Sequence, residues 1–107
     1  LAQRLAQLPA CTPPCSFDLV LCIRFLERAF LPLAACLLRP GGHILYSTFL
    51  DLPGTRAFGR PQGERLLQPG ELASSFFGPQ QGFEVLRDEV VMTADGRELC
   101  AFVARKL

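Results

Sequence analysis

Residues Phe17 to Phe49 read FDLVLCIRFLERAFLPLAACLLRPGGHILYSTF, and the fold turns on this stretch. Phe17 to Cys22 is an apolar run interrupted only by Asp18. That pattern predicts a strand, and its continuous apolar character predicts one covered on both faces. Ala29 to Leu38 is almost wholly apolar. Pro32 would break a helix interior but is tolerated in a first turn, where its missing N–H costs nothing. A buried helix is therefore predicted from there to Leu38 or Arg39, with Gly41-Gly42 supplying a stop that can adopt positive φ. His43 to Phe49 is a second β-rich run. Two apolar strands joined by a buried helix form a right-handed βαβ crossover, the unit of parallel sheets.

Downstream, Leu50 to Leu67 is the longest irregular stretch, punctuated by Asp51, Pro53, Gly54, Gly59, Pro61 and Gly63. A loop of this length in a compact domain has a function or is disordered. It reads either as a solvated surface loop or as a substrate lid carrying Arg56, Arg60 and Arg65. Pro69 and Glu71 suit the first turn of a further helix, which runs to Phe77 and ends at Gly78-Pro79. Phe83 to Thr93 is predicted as the third strand. Ala94-Asp95-Gly96-Arg97 is a hairpin turn, and Glu98 to Lys106 is the fourth strand. Leu99 to Ala104 is apolar without alternation, which places this last strand inside the sheet. Upstream, Leu1, Leu5 and Leu8 share one face of a short helix that Pro9 stops, and Ala10 to Ser16 is a loop.

With 107 residues the chain can build one core, but it is small for a complete α/β enzyme. It is half hydrophobic and its mean hydropathy is +0.26, yet charges interrupt the longest apolar run at Arg24, Glu27 and Arg28, so a membrane span is not expected. The net charge of +1 gives no bulk attraction to nucleic acid or an anionic membrane. Leu1 to Arg4 is not a signal peptide, and the missing initiator Met is expected of a chain that starts inside a longer protein. The five cysteines are an odd number, and Cys22, Cys36 and Cys100 lie in apolar runs as buried thiols. A reducing, cytoplasmic location is expected. Cys11-Thr12-Pro13-Pro14-Cys15 has no second pair to complete a zinc site and reads as a Pro-rich loop; no metal is expected.

Strand, helix, strand, helix and a closing antiparallel hairpin resemble the C-terminal half of a class I S-adenosylmethionine-dependent methyltransferase. FDLVLC at Phe17 to Cys22, LLRPGGHILYSTF at Leu37 to Phe49 and the terminal hairpin resemble that fold's fourth and fifth strands and its end. Phe58-Gly59-Arg60-Pro61 and Leu66 to Leu72 (LLQPGEL) resemble a small bacterial-type subgroup related to the tellurite-resistance methyltransferases. Ser47 stands where that subgroup has an acidic residue, and Glu27 where it has His. The resemblance covers Phe17 to Lys106 and implies a Rossmann-like α/β sheet, β-α-β-α-β-β with the last strand antiparallel, in the family's strand order 4-5-7-6. The family's glycine-rich loop and the acidic residue that hold the cofactor are absent, since only 16 residues precede Phe17 and none forms GxGxG. Residues 1–107 are therefore expected to be a single partial domain.

The resemblance implies S-adenosylmethionine as cofactor and a small-molecule methyl acceptor. Ligands of open α/β sheets bind beyond the carboxyl ends of the strands. Cys22, Ile23 and Arg24 map to the cofactor side, with packing as the other reading for Cys22 and Ile23. Arg24, a cation between an apolar strand and a helix, needs a partner or water, and a carboxylate of cofactor or substrate is a candidate. Tyr46, Thr48 and Arg60 are candidates for the substrate side. Methyl transfer from a sulfonium needs mainly alignment, with a general base only where the acceptor must lose a proton. His43, the only histidine, starts a strand at the opposite end of the sheet and reads as a turn residue. The alternative is a non-catalytic half-domain that pairs with another chain through the exposed edge of Phe17 to Cys22, by self-association or with a missing N-terminal half.

Overall fold

The computed structural model describes residues 15–57 and 66–107. The expected helix at Leu1 to Leu8, Cys11, and the Phe58 to Arg65 part of the long loop, with Arg60, lie outside the described residues. Strands β1 (Phe17–Ile23), β2 (Leu38–Ser47), β3 (Phe83–Met92) and β4 (Glu98–Lys106) form one sheet in the order β1-β2-β4-β3. β1 and β2 are parallel, while β2–β4 and β3–β4 are antiparallel. This is the sheet expected from the sequence, with β4 inside it.

Helix α1 (Leu31–Leu37) links β1 to β2, with Pro32 in its first turn. It stops earlier than expected, because Leu38 is already extended and begins β2. The strand thus runs through Pro40-Gly41-Gly42, with a register irregularity opposite Asp18. Gly42 is needed there: a Cβ would lie 2.9 Å from the Arg39 carbonyl and 3.1 Å from that of Asp18. The end of α1 is closed from a distant strand. The Lys106 ammonium donates to the carbonyls of Ala35 (2.7 Å) and Leu38 (2.8 Å), groups a helix end leaves without partners.

The core lies on one face of the sheet. Cys22, Ile44, Tyr46, Cys100, Phe102 and Ala104 point from β1, β2 and β4 toward Leu31, Ala34 and Phe77. The helix expected from Pro69 to Phe77 is shortened to a π-helical turn, Leu72–Phe76, closed by Phe77 N–H donating to the Leu72 carbonyl at 2.7 Å. The wider turn lets Phe77 reach the core, its ring edge-on to Phe83 at 5.3 Å and tilted to Phe102 at 6.2 Å. A short helix α2 (Pro53–Arg56) interrupts the long loop after β2.

The opposite face corrects one expectation. β1 is not covered on both sides: Phe17, Leu19, Leu21 and Ile23 alternate onto a face on which no described helix packs, and each is 44–60% exposed. A hollow of about 200 Å³ opens on that face between Leu21, Ile23, Leu45, Ser47, Arg87 and Val103. The continuous apolar run of β1 is the signature of a strand meant to be buried on both sides.

Candidate functional site

The carboxyl ends of the parallel strands β1 and β2 lie side by side, Cys22 opposite Tyr46 and Ile23 opposite Ser47. The structure sorts the residues expected there by what they face. Cys22 is buried, and burial pushes its thiol up to about 11. Tyr46 is also buried; its hydroxyl donates to the Phe25 carbonyl, and desolvation pushes its ionisation far above the usual tyrosine range. Thr48 is buried as well, its carbonyl accepting from Cys100 N–H at 2.9 Å. These three side chains belong to the core beneath the site. Ile23 points to the open face. Arg24 stands at the strand end, exposed. His43 sits half-buried in β2 opposite Leu19 and Arg105, away from this end.

Arg24 is the unusual residue. Its φ is +52°, the left-handed region that disfavours any side chain with a Cβ. Its N–H donates to the Ser47 carbonyl at 2.6 Å, which pins that conformation to the end of β2. The guanidinium carbon lies 5.5 Å from the centre of the Phe49 ring. Arg97 meets the same ring from the β3–β4 hairpin, at 4.6 Å. Arg97 is also held by Asp95, through Nη2 to Oδ2 at 2.8 Å. Asp95 stays well down the carboxylate range, at about 2, through hydrogen bonds from Arg97 and then Thr93. Sequence reasoning missed Phe49 and Arg97. Phe49 reaches the hairpin through an isolated antiparallel bridge to Leu99, a pairing with no local signal.

Two latches hold the segments around this end. Arg28, after β1, donates from Nε and Nη2 to the Glu71 carboxylate at 2.6 and 2.9 Å, and from Nη2 to the Leu66 carbonyl at 3.1 Å. Glu71 also accepts from Gln68 N–H at 2.9 Å. The Arg28 hydrogen bonds hold the Glu71 carboxyl below its ordinary range. In the second latch, Thr55 N–H donates to the buried Glu98 carboxylate at 2.7 Å and Glu98 N–H to Thr55 Oγ1 at 3.0 Å, which docks α2 on the hairpin. Gly54 permits the approach: a Cβ would stand 2.3 Å from both the Glu98 carboxylate and the Gly96 carbonyl.

No family model matches the chain. The (4+2)-cyclase SpnF matches 90% of this chain at a TM-score of 0.65 and 17% identity, and the match takes up 52% of SpnF. The fold is that of the class I methyltransferases. What is present is the C-terminal half of that sheet. A 16S rRNA (adenine(1408)-N(1))-methyltransferase of Catenulisporales acidiphilia gives a TM-score of 0.49 and 12% identity over 84% of this chain and 50% of that one. An uncharacterised protein of Schizosaccharomyces pombe, UNK4.09, is 35% identical over 92 residues, 85% of this chain and 27% of its own length. The chain thus spans about half of the structural neighbours and about a quarter of the yeast protein. The methyltransferase fold does not by itself decide the chemistry, since SpnF is a cyclase.

Ile23 and Arg24 can form an apolar and cationic wall at the strand ends. Gly42, Gly54 and Gly78 pack against their own chain, whereas a Cβ at Gly41, Gly70, Gly82 or Gly96 would meet no atom within 4 Å. Among the described residues no group of His, Cys, Asp and Glu could hold a metal ion, and no helix is long and apolar enough to cross a membrane.

Proposed function

We propose that this chain is the acceptor-facing half of an S-adenosylmethionine-dependent methyltransferase acting on a small-molecule acceptor, and that it works against a cofactor-binding half carrying the glycine-rich loop. The observation that carries this is the pair of unfinished surfaces next to the site. β1 is an edge strand whose residues from Leu19 to Ile23 are all uncharged, and its outward side chains form the exposed apolar face. The other edge, β3, also exposes Leu86, Val90, Val91 and Met92, but its middle carries Arg87, Asp88, Glu89 and a register irregularity between Val85 and Arg87, devices that keep a solvent edge from pairing. The middle of β3 is thus protected by charge, whereas β1 from Leu19 to Ile23 is uncharged and suited to receive a strand.

The cofactor supplies a methyl group activated on a sulfonium, so the chain's own residues need only orient the acceptor and exclude water. Ile23 and Arg24 meet the amino-acid end of the cofactor, and Phe49 borders the acceptor. The LLQPGEL segment, whose Glu71 holds Arg28, supports the tie to the group related to the tellurite-resistance methyltransferases. Exposed free Cys15 and Cys36 suit a reducing compartment such as the cytoplasm.

The test is amide NMR of the chain titrated with S-adenosylhomocysteine. Saturable shifts at Cys22 to Arg24 and Ser47 to Phe49 are expected, with weak affinity because most of the cradle is lacking. A folded chain whose amides there do not move at millimolar ligand overturns the cofactor assignment and leaves a non-catalytic half-domain that pairs through β1.

A further inference from the structure

We propose that Cys15 and Cys36 are a reversible redox pair, which a low-molecular-weight disulfide closes to a bond that staples the entry of β1 to the last turn of α1. This goes beyond the methyltransferase reading and does not depend on it.

Three observations converge on the pair. The first is register. Cys15 N–H donates to the Cys36 carbonyl at 2.8 Å, and Ser16 N–H donates to the Leu37 carbonyl at 3.1 Å. Phe17 then pairs with Leu38, so the chain entering β1 runs along the end of α1 with Cys15 beside Cys36. Main chains joined in this way have Cα atoms about 5 Å apart, inside the span of a disulfide. The second is the placement of the Cys15 sulfur. Lys106 Nζ lies 3.8 Å from Cys15 Sγ. The same ammonium donates to the carbonyls of Ala35 at 2.7 Å and Leu38 at 2.8 Å, which flank Cys36 in the chain. The sulfur therefore lies at the helix end that carries Cys36. The third is access. Cys15 and Cys36 are free and exposed, whereas Cys22 and Cys100 are buried. A small disulfide reaches the pair without opening the core.

The chemistry is thiol–disulfide exchange. The Cys15 thiol loses its proton to solvent and the thiolate attacks one sulfur of the small disulfide. A small thiolate leaves with the electron pair of the broken sulfur–sulfur bond. The Cys36 thiolate then attacks the Cys15 sulfur of the mixed disulfide and expels the second small thiolate. The two leaving thiolates take up the two protons released. The protein thiols are thus oxidised and the small disulfide is reduced to two thiols; excess small thiol reverses both steps. In a reducing compartment the pair rests as the dithiol and closes when the thiol pool is oxidised, as redox-sensing disulfides there do. The pair lies at the amino end of β1, away from Cys22 to Arg24 and Ser47 to Phe49, so the bond acts on the stability of the sheet and leaves the strand ends open.

The test equilibrates the reduced 107-residue chain with mixed reduced and oxidised glutathione, blocks the remaining thiols, and maps the peptides without reduction. A bond between Cys15 and Cys36 is expected, with Cys22 and Cys100 recovered as blocked thiols only after unfolding. Cys36→Ser should instead stop at glutathione on Cys15. Cys11→Ser should leave the bond in place; its loss in that variant overturns the pairing, because Cys11 was then the partner. In urea the preference should give way to a mixture of pairings, and an unchanged preference there overturns the assignment to the fold. Glutathione on both Cys15 and Cys36 with no bond between them, or a bond between two copies of the chain, also overturns it. The oxidised chain should melt about 10 °C higher than the reduced one and return on adding dithiothreitol. An oxidised chain that melts no higher overturns the staple.

Discussion

Arg24 holds a conformation that a glycine would hold more cheaply. The left-handed region costs an ordinary residue about 1–2 kcal/mol, and the cation–π contact with Phe49 returns about 0.5–1 kcal/mol at an exposed site. Arg24→Gly should therefore be neutral or raise stability by up to about 1 kcal/mol in urea unfolding. A clear loss of stability would make Arg24 a structural residue. The cysteines make a second residue-scale case. Cys22 and Cys100 are buried, and desolvation raises both thiols. Cys15 and Cys36 are exposed. A thiol reagent at neutral pH should modify Cys15 and Cys36 in the folded chain and reach Cys22 and Cys100 only on unfolding, as peptide mapping would show. At this scale the sequence was a partial guide. Its chemistry pointed to Arg24 as a cation lacking a local partner, but counted Cys36 as buried. It could not separate Tyr46 and Thr48, which face the core, from Phe49, which lies at the site, because the side each takes depends on register with β4.

At the scale of elements, the four strands followed from apolar runs and turn residues and their order from the family resemblance, whereas the segments over the strand ends followed from neither. The run from Pro69 to Phe77 has good helix-start residues, yet Phe77's demand for the core converts it to a π-helical turn. Its position is set instead by Glu71, whose carboxylate joins Arg28 to the backbone of Gln68. Because the folded-state pKa of Glu71 is depressed, its contribution is complete above its ordinary value of 4.5 and is lost as pH falls through the lower folded value. Glu71→Gln should cost about 1 kcal/mol at neutral pH, the pair being partly exposed, and should flatten the fall in stability below pH 4.5. Urea midpoints between neutral and acid pH would show both effects. An unchanged acid limb in the variant would assign the loss to other carboxylates.

For the whole molecule, the sheet is half of a two-sided object. The sequence announced a strand buried on both sides, and the structure shows which side its own residues leave open. Burying apolar surface yields about 25 cal/mol per Å², so Phe17, Leu19, Leu21 and Ile23 give this face a strong tendency to find a cover. In the absence of a cofactor-binding half the available cover is a second copy, and the unguarded β1 edge lies on the same border. Sedimentation at tens of micromolar should therefore show species heavier than a monomer. Leu21→Lys with Ile23→Lys should shift the population to monomer, with stability of the monomer changed by no more than about 0.5 kcal/mol per site, as for exposed positions. The matched control is Val90→Lys with Met92→Lys, equally exposed but on the charged edge strand β3, which should leave association unchanged. If the control dissolves the assembly and the β1 pair does not, the open surface that matters is the hairpin, and the cofactor-binding half would have to be sought on that side of the sheet.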